Sequence, residues 1–556
     1  MKLVECVPNF SEGQDQSKID AISEAIRSVS GVALLDVDPG KATNRTVYTL
    51  AGSPDIVVEA AFEAIKRGAE IIDMRNHKGE HARQGACDVC PFVPISDVTM
   101  EECVELANRL GKRVGEELGI PVYLYAEAAK KPERVKMPDI RVGEYEALEE
   151  KLKKPEWKPD YGEAKFNAKA GVTVIGARNF LIAYNINLNS TNTKLAKEIA
   201  FTIRERGRLK RDKDGKKVVG ADGKAERVAG MFTSLQGTGW LIPEYNRAQV
   251  TVNILNIDTT PVHKVYDACC DLATKLGCRV TGSEVVGMLP KRVLHEAGIY
   301  FLKKQGSTTG ISEDEIIRNG IISLGLDDVA PFDPKMKVIE ERFLSETPLA
   351  SMTVKAFNEE LASNSPAPGG GSVSAVAGAM SAGLSSMVAA LTFEKKGFES
   401  TKEEMEKIGA QTQDIMRRQL SAIDDDTNSF NAVIDCMRLP KKTEEQKAAR
   451  AAAIEEATKN ATMEPFGILE RTLPSLDCAL SVAERGNPNS LSDAGVAALM
   501  AHAAAYGAFY NVLINLDGIE DKGWCEDTKS KASKIIDEAD KKAASIKKMM
   551  LEKLGG

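Results

Sequence analysis

Excess positive charge is absent from this chain. Its 73 Lys and Arg are outnumbered by 81 Asp and Glu, for a net charge of −8. That balance argues against nucleic-acid binding, although local basic patches can still hold an anionic substrate. The opening residues, Met1-Lys2-Leu3-Val4-Glu5-Cys6, lack the charged and apolar regions of a signal peptide and read as the start of a strand, so a cytoplasmic chain is expected. Cysteine pairing is missing too: the ten cysteines are scattered, as reduced thiols are. Cys87-Asp88-Val89-Cys90 spells C-x-x-C, but no second pair follows and no helix starts between the thiols, so buried, inert cysteines are expected. Aromatics are few, at 5%, while 43% of residues are apolar and 28% charged, which is the balance of a soluble globular protein. Its 556 residues predict about three domains.

One long uncharged run stands out against this background. Val373 to Thr392 is about 20 residues without a charge, long enough to span a bilayer. Its content is mainly Ala, Gly and Ser, so a helix packed closely inside a bundle or across a subunit interface is expected instead of membrane insertion.

The first 340 or so residues alternate strand and helix patterns. Strands are predicted at Leu3–Pro8, Val32–Val37, Arg45–Leu50, Ile71–Met74 and Val122–Tyr125, with helices at Ser17–Val29, Asp55–Arg67 and Met100–Leu118. A short turn between the second and third strands points to antiparallel pairing, hence an α+β fold of the ferredoxin-like, split β-α-β kind. A comparable cycle follows: strands Val172–Ile175, Leu181–Leu188, Ala248–Leu255 and Arg279–Glu284, and helices Thr193–Glu205 and Pro261–Leu276. The basic run Arg206 to Lys217 interrupts it and reads as a solvated surface loop. From Ser351 strand patterns cease, and long helices are predicted at Thr401–Met437, Glu444–Ala461, Leu491–Ile514 and Thr528–Leu554. The division is two α+β subdomains (1–180 and 181–343), a linker (344–350) and an all-α helical-bundle domain (351–556). A fused chain of this kind suggests two active sites.

Only five histidines occur, and two share the pentapeptide His77-Lys78-Gly79-Glu80-His81. Histidine titrates nearest neutrality, so the pair suggests chemistry. The spacing matches the H-x-x-E-H of inverted zincins, which needs both imidazoles on one continuous helix face. Gly79 between them, Ile71-Ile72 before them and the absence of a third ligand favour a strand end and loop, and no metal is expected. Asp36-Val37-Asp38-Pro39-Gly40 closes one strand and Thr43-Asn44-Arg45 opens the next, so Asp38 and Arg45 flank a turn where polar groups can converge on a ligand; a structural Asp–Arg pair explains them equally. In the helical half, Ser365-Pro366-Ala367-Pro368-Gly369-Gly370-Gly371-Ser372 leads into the Ala-rich helix, as an anion-binding helix start or a plain linker would. It is not a Walker A loop, since no Lys-Ser/Thr follows. At ~100° per residue, Asp426 of Asp424-Asp425-Asp426 falls close to the face made by Ile415, Ile423 and Phe430, with Asp425 pointing away and Asp424 to one side. A carboxylate against an apolar face gains proton affinity, which suits a general acid or base; a salt bridge to a neighbouring helix is the alternative.

From Leu3 to about Leu554 the chain resembles the formimidoyltransferase-cyclodeaminase family, bifunctional folate enzymes of histidine degradation. The resemblance rests on Leu3-Val4-Glu5-Cys6-Val7-Pro8-Asn9-Phe10-Ser11-Glu12-Gly13, Thr43-Asn44-Arg45-Thr46-Val47-Tyr48-Thr49, the histidine pentapeptide, Gly176-Ala177-Arg178 with Phe180-Leu181-Ile182-Ala183, Ala367 to Val373, and Asn511-Val512-Leu513-Ile514-Asn515-Leu516. It implies transfer of the formimino group from N-formimino-L-glutamate to N5 of tetrahydrofolate, then ring closure to 5,10-methenyltetrahydrofolate with release of ammonia. By this resemblance His81 is the transferase catalytic residue, Asp38 helps orient or polarise the site and Arg45 holds a carboxylate. The folate-binding stretch falls on Gly162, Glu163, Ala164, Lys165, Phe166, Asn167, Ala168, Lys169, Ala170 and Gly171, of which Gly162, Phe166 and Gly171 match the family. The cyclodeaminase carboxylate falls on Asp426. The resemblance also implies polyglutamylated tetrahydrofolate as co-substrate and a homo-oligomeric ring of eight subunits. The chain departs from the family at Cys87 and in the Arg208–Lys217 insertion, neither at a catalytic position. Formyl transfer joined to a methenyltetrahydrofolate cyclohydrolase would use the same folds.

Overall fold

Residues that alternate between two environments build a mixed sheet in the first 180 positions. The computed structural model describes every residue except 1, 41–43, 80–81, 221–224, 243–245, 343–347 and 556. The sheet has seven strands: β1 (Leu3–Cys6), β2 (Asn9–Phe10), β3 (Ala33–Gly40), β4 (Arg45–Gly52), β5 (Cys87–Ser96), β6 (Val122–Ala126) and β7 (Thr173–Ala177). They lie in the order β3-β4-β1-β5-β7-β6, with β2 continuing β1 between β4 and β5. β5, β7 and β6 run parallel to one another, and the other pairings are antiparallel. Helices α1 (Gln16–Arg27), α2 (Pro54–Ile71) and α3 (Met100–Glu117) cover one face. There Ile22, Ile65 and Leu110 meet Val4, Tyr48 and Phe92, all fully buried or nearly so. Each such aliphatic side chain contributes about 1.5–3 kcal/mol of burial. Asp15 caps α1, and Thr99 and Glu102 form a capping box on α3. On the opposite face Tyr123, Tyr125 and Val174 pack against Ile140 at the end of α4 (Met137–Ile140) and against α5 (Leu148–Leu152).

The next stretch repeats this order. Strand β8 (Ile182–Leu188), helix α6 (Thr193–Ile203), a two-stranded ribbon of β9 (Arg208–Leu209) and β10 (Arg227–Val228), strands β11 (Leu235–Ile242) and β12 (Arg247–Ile254), helix α7 (Val262–Lys275) and strand β13 (Val280–Val286) follow in turn. The antiparallel sheet order is β11-β12-β8-β13, which corresponds strand for strand to β3-β4-β1-β5. Helices α8 (Lys291–Gln305), α9 (Glu313–Leu324) and α10 (Pro334–Lys337) come next, and then the helix-rich region: α11 (Val354–Leu361), α12 (Gly370–Glu394), α13 (Lys402–Met437), α14 (Glu444–Glu470), α15 (Thr472–Arg485), α16 (Leu491–Leu516) and α17 (Lys522–Leu554).

Residues Met1–Ala297 and Ile321–Leu344 form one compact unit, and Gly298–Gly320 with Ser345–Gly556 form a second. Residues 298–320, inside the stretch read as the second α+β subdomain, therefore belong with the helices. Glu406 of α13 accepts hydrogen bonds from the Thr308 hydroxyl (2.6 Å) and the Thr309 N–H (3.0 Å). Next to them Gly310 touches Gly409 so closely that a Cβ on Gly310 would lie 2.7 Å from the Gly409 Cα. Helices α12 and α16 are long and apolar enough to cross a membrane by length and composition, and half of the apolar window of α12 is buried inside the protein. Its small residues admit that packing: a Cβ on Gly378 would stand 2.5 Å from the Gln419 amide of α13.

Several sequence expectations need correction. No strand occupies Ile71–Met74: α2 runs through Ile71, and a 3-10 turn follows at Met74–Asn76, where the Asp73 side chain accepts the Arg75 N–H. The basic run is not a plain loop, because Arg208–Leu209 pairs with Arg227–Val228 and Lys210 bonds Glu226 at 2.7 Å. Helix α14 does not stop at Ala461 but passes through Pro465 to Glu470. Proline lacks an N–H and orphans the carbonyl four residues back; here that carbonyl, of Ala461, accepts from Asn515 Nδ2 of α16 at 2.9 Å.

Candidate active sites

In the first unit, strand register brings the predicted residues together. Asp38 stands opposite Val47 and Gly40 opposite Arg45. Directly paired residues share a face, so Asp38, Val47 and Arg45 project from the same side of the sheet. Asp38 is exposed and Arg45 buried. The carboxylate that Arg45 grips is not Asp38 but Asp88, at 2.7 Å, and Arg141 reaches the same oxygen at 2.6 Å. Asp88 is the extra residue of a bulge: Val89 opposes Asn9 while Cys87 opposes Phe10. A bulge re-aims the side chain it carries, and here it buries Asp88 completely, where it also accepts the Gln84 N–H at 2.9 Å. Arg45 Nε donates to Asn9 Oδ1 at 3.2 Å. Two guanidiniums on one carboxylate leave a net positive charge at this point of the sheet. Burial lowers the proton affinity of Arg45, and Asp88 opposes the fall.

His77, next to the Asn44 carbonyl, brings the start of the histidine pentapeptide beside this cluster. His81 lies outside the described residues. His77 follows the 3-10 turn in extended backbone, so the first half of the motif is not on a helix. Its ring is fully engaged: Nδ1 accepts from Arg83 Nε at 3.3 Å and Nε2 faces the Asn44 carbonyl at 2.9 Å. The Arg83 contact places the proton on Nε2, a tautomer assigned from the bonding pattern. Asn44, in the left-handed region at φ 47°, donates to the Lys78 carbonyl (2.8 Å) and accepts the Gly13 N–H (2.9 Å). Three of the family-like blocks are thus joined through one asparagine. Arg83 continues to Glu144 (3.0 Å) and Glu146 (2.7 Å), and these residues with Lys78, Gly79 and Gly143 line a cavity of about 450 Å³.

The predicted folate stretch borders a larger cavity, of about 770 Å³. Gly162, Glu163, Lys165, Phe166, Asn167 and Ala168 line it, together with Gly115, Glu116 and Gly119. That volume falls in the range of small-molecule sites. The other four stretch residues do not line it. Ala164 is exposed, Lys169 turns its amine to the Glu70 carbonyl (2.7 Å), and the Ala170 carbonyl accepts the Ala86 N–H (2.8 Å). Gly171 has φ +68° and passes so near Gln84 that a Cβ would fall 2.1 Å from its carbonyl oxygen. Tyr145 packs its ring 5.6 Å from that of Phe166. These residues were not singled out from sequence, because Tyr145, Arg83 and Arg141 show no local pattern.

In the second unit, three helices converge at the glycine turn. Gly369 precedes α12, and Ser372 Oγ donates to Asp426 Oδ2 at 3.2 Å and to the Ile423 carbonyl at 2.9 Å. Gly371 leaves the space that the Asp426 carboxylate fills: a Cβ there would lie 2.1–2.5 Å from its three carboxyl atoms. Burial raises the Asp426 carboxyl above the usual carboxylate range, and hydrogen bonds from Ser372 oppose the rise. Asp426 is half-buried and Asp425 exposed, as helical phase predicts. Asp424, set to one side by that reasoning, is instead the buried one: it accepts the N–H groups of Leu349 (3.0 Å) and Ala350 (3.1 Å). Phe430, assigned to the apolar face, is 37% exposed, so burial of that stripe ends near Asp426. Glu464 of α14 also has raised proton affinity, chiefly from burial and then from Asp425, with Arg471 opposing and Asp426 adding a smaller rise. From α16, Asn511 closes the other side of the turn, its Nδ2 3.0 Å from where a Gly370 Cβ would stand.

Comparison with known proteins accounts for both units. Residues 3–178 match the family described as Formiminotransferase domain, N-terminal subdomain; residues 183–343 match Formiminotransferase domain; and residues 353–534 match Formiminotransferase-cyclodeaminase. The chain is 42% identical over 548 residues to the formimidoyltransferase-cyclodeaminase of Rattus norvegicus, covering 98% of both. It is 44% identical over 312 residues to the glutamate formimidoyltransferase of Thermoplasma acidophilum, covering 56% of this chain and 95% of that protein. It is also 40% identical over 187 residues to the methenyltetrahydrofolate cyclohydrolase of Methylorubrum extorquens, covering 34% of this chain and 90% of that protein.

Proposed function

The chain belongs to the formimidoyltransferase-cyclodeaminase family, and from that premise we propose that each of its two units carries one step of a two-step folate reaction. The first moves the formimino group from N-formimino-L-glutamate to N5 of tetrahydrofolate. The second closes the ring to 5,10-methenyltetrahydrofolate and releases ammonia, as in histidine degradation.

In the transfer, N5 bonds to the formimino carbon, N5 loses a proton, and the bond from that carbon to the glutamate nitrogen breaks as the nitrogen gains one. His81 is assigned the proton transfer, as a neutral imidazole. His77, with both ring nitrogens engaged, is given a structural role. Asp38 faces the cationic formimino nitrogen from the same side of the sheet as Arg45. The positive charge that Arg45 and Arg141 retain after Asp88 is counted suits a glutamate carboxylate. Residues Gly162 to Gly171 hold the folate, six of them along the larger cavity.

In the cyclisation, N10 bonds to the formimino carbon, its proton passes to Asp426 and on to the departing nitrogen, and ammonia leaves. A carboxylate with raised proton affinity is suited to that relay. One observation carries the assignment: the Asp426 carboxylate occupies space that only a glycine at 371 leaves open. Supplying 5-formimidoyltetrahydrofolate should yield ammonia and 5,10-methenyltetrahydrofolate in equal amounts. No ammonia from 5-formimidoyltetrahydrofolate, together with hydrolysis of 5,10-methenyltetrahydrofolate to 10-formyltetrahydrofolate, would instead favour the second reading, formyl transfer with a methenyltetrahydrofolate cyclohydrolase, to which the similarity with the Methylorubrum extorquens enzyme lends support.

Finer features follow from the same reading. The strand order β3-β4-β1-β5, repeated as β11-β12-β8-β13, supports ferredoxin-like subdomains over 1–180 and 181–343, the second lending residues 298–320 to the helical unit, ahead of the 344–350 linker and a cyclodeaminase bundle over 351–556. Val373, Met380, Met387 and Leu391 recur at helical spacing on α12 and are exposed; this supports a homo-oligomer, proposed as eight subunits. Ten free cysteines are in keeping with a cytoplasmic enzyme, and the folate is proposed to be polyglutamylated.

A further inference from the structure

Helix α16 presents two asparagines, Asn511 and Asn515, four residues apart and so on one side. Asn515 is accounted for by the Ala461 carbonyl. Asn511 sits at the turn that opens α12. A Cβ on Gly370 would lie 3.0 Å from its Nδ2 and 3.6 Å from its Oδ1, while one on the next residue, Gly371, would strike Asp426. Two consecutive glycines are thus walled by a carboxylate on one side and a carboxamide on the other. Asn511 Nδ2 donates to the Gly507 carbonyl at 2.8 Å, which fixes the rotation of the amide. Its Oδ1 accepts no hydrogen bond from the described residues.

This arrangement deepens the cyclodeaminase reading and rests on it. The formimino nitrogen differs from a formyl oxygen in carrying N–H donors. In the reaction N10 bonds to the formimino carbon of the cationic substrate, the N10 proton passes through Asp426 to that nitrogen, the carbon–nitrogen bond breaks, and ammonia leaves beside the methenyl cation. Asp426 handles the proton, so a second acceptor is needed to keep the nitrogen turned toward it. We propose that Asn511 is a specificity-determining residue of the cyclodeaminase step, its Oδ1 accepting a hydrogen bond from the formimino nitrogen.

The test compares full-length Asn511→Ala and Asn511→Asp with the parent enzyme, following ammonia release from 5-formimidoyltetrahydrofolate, transferase rate and thermal unfolding. Asn511→Ala should lower kcat for ammonia release about 10²-fold, as loss of one preorganised hydrogen-bonding partner does, with transfer unchanged. Asn511→Asp keeps an acceptor oxygen and should lose less than about tenfold. Ammonia release by Asn511→Ala within about threefold of the parent rate would overturn the proposal. Equal losses in both variants, accompanied by a lowered Tm, would also overturn it by showing a purely structural role. A parent enzyme that releases no ammonia would sink the cyclodeaminase reading itself, and this inference with it.

Discussion

Replacing Gly371 with Ala tests the cyclodeaminase site with the smallest possible perturbation. The added Cβ would stand 2.1 Å from Asp426 Oδ1, 2.4 Å from Cγ and 2.5 Å from Oδ2. Non-bonded carbon contacts settle near 3.5–4.0 Å, so the carboxylate must retreat by roughly 1 Å or more. A misplacement of about 1 Å in a catalytic group costs about 10²-fold in rate, or about 2.7 kcal/mol of barrier. The backbone does not resist the change: Gly371 lies in the first turn of α12 and has no left-handed φ. Ala favours a helix over Gly by about 0.5–1 kcal/mol, so the fold should not weaken. The assay is ammonia release from 5-formimidoyltetrahydrofolate, with transferase activity of the same preparation as internal control and a thermal melt beside it. Loss of ammonia release with transfer and Tm retained is expected. Ammonia release at the parent rate would refute the placement of Asp426.

Other sites give sharp expectations. Asp88→Asn strips the buried Arg45 and the half-buried Arg141 of their carboxylate and should cost about 3–5 kcal/mol, read from chemical denaturation, with transfer lost. Asn515→Ala orphans the Ala461 carbonyl beside Pro465 and should cost about 1–3 kcal/mol in unfolding of the helical unit. Glu5 is buried, and its carboxyl is pushed up to about 7 by that burial, with Arg178 opposing. The folded state thus holds a proton that the unfolded chain gives up near pH 4.3, so stability falls as pH rises through this window, by of order 3 kcal/mol. Glu5→Gln should flatten that fall in denaturation measured from pH 4 to 8, and an unchanged slope would refute it.

Much of this was legible where one element carries the signal. The antiparallel pairing of β3 and β4 follows from Asp36 to Arg45, and the half-burial of Asp426 from helical phase along α13. What was missed depends on distant partners. Strand β5 runs through Pro91 and Pro94, residues that argue against a central strand; register shifts opposite Leu3 and Phe10 accommodate it. Strand β11 contains Gly237 and Gly239, which weaken a strand pattern. A Cβ on Gly239 would lie 2.5 Å from the Lys197 backbone nitrogen, so α6 requires that glycine. The anchoring role of Asp424 depends on Leu349 and Ala350, 75 and 74 residues away. Helix α14 outruns Pro465 only because Asn515 comes from another helix. No spacing rule reaches such pairs.

Two separable sites are the central claim, and one crossed measurement addresses it. His81→Ala and Asp426→Asn, each in the full-length chain, are assayed for glutamate release from N-formimino-L-glutamate with tetrahydrofolate, and for ammonia release from 5-formimidoyltetrahydrofolate. His81→Ala should lose glutamate release and keep ammonia release, and Asp426→Asn should do the reverse. Either substitution abolishing both activities in a folded protein would contradict the account.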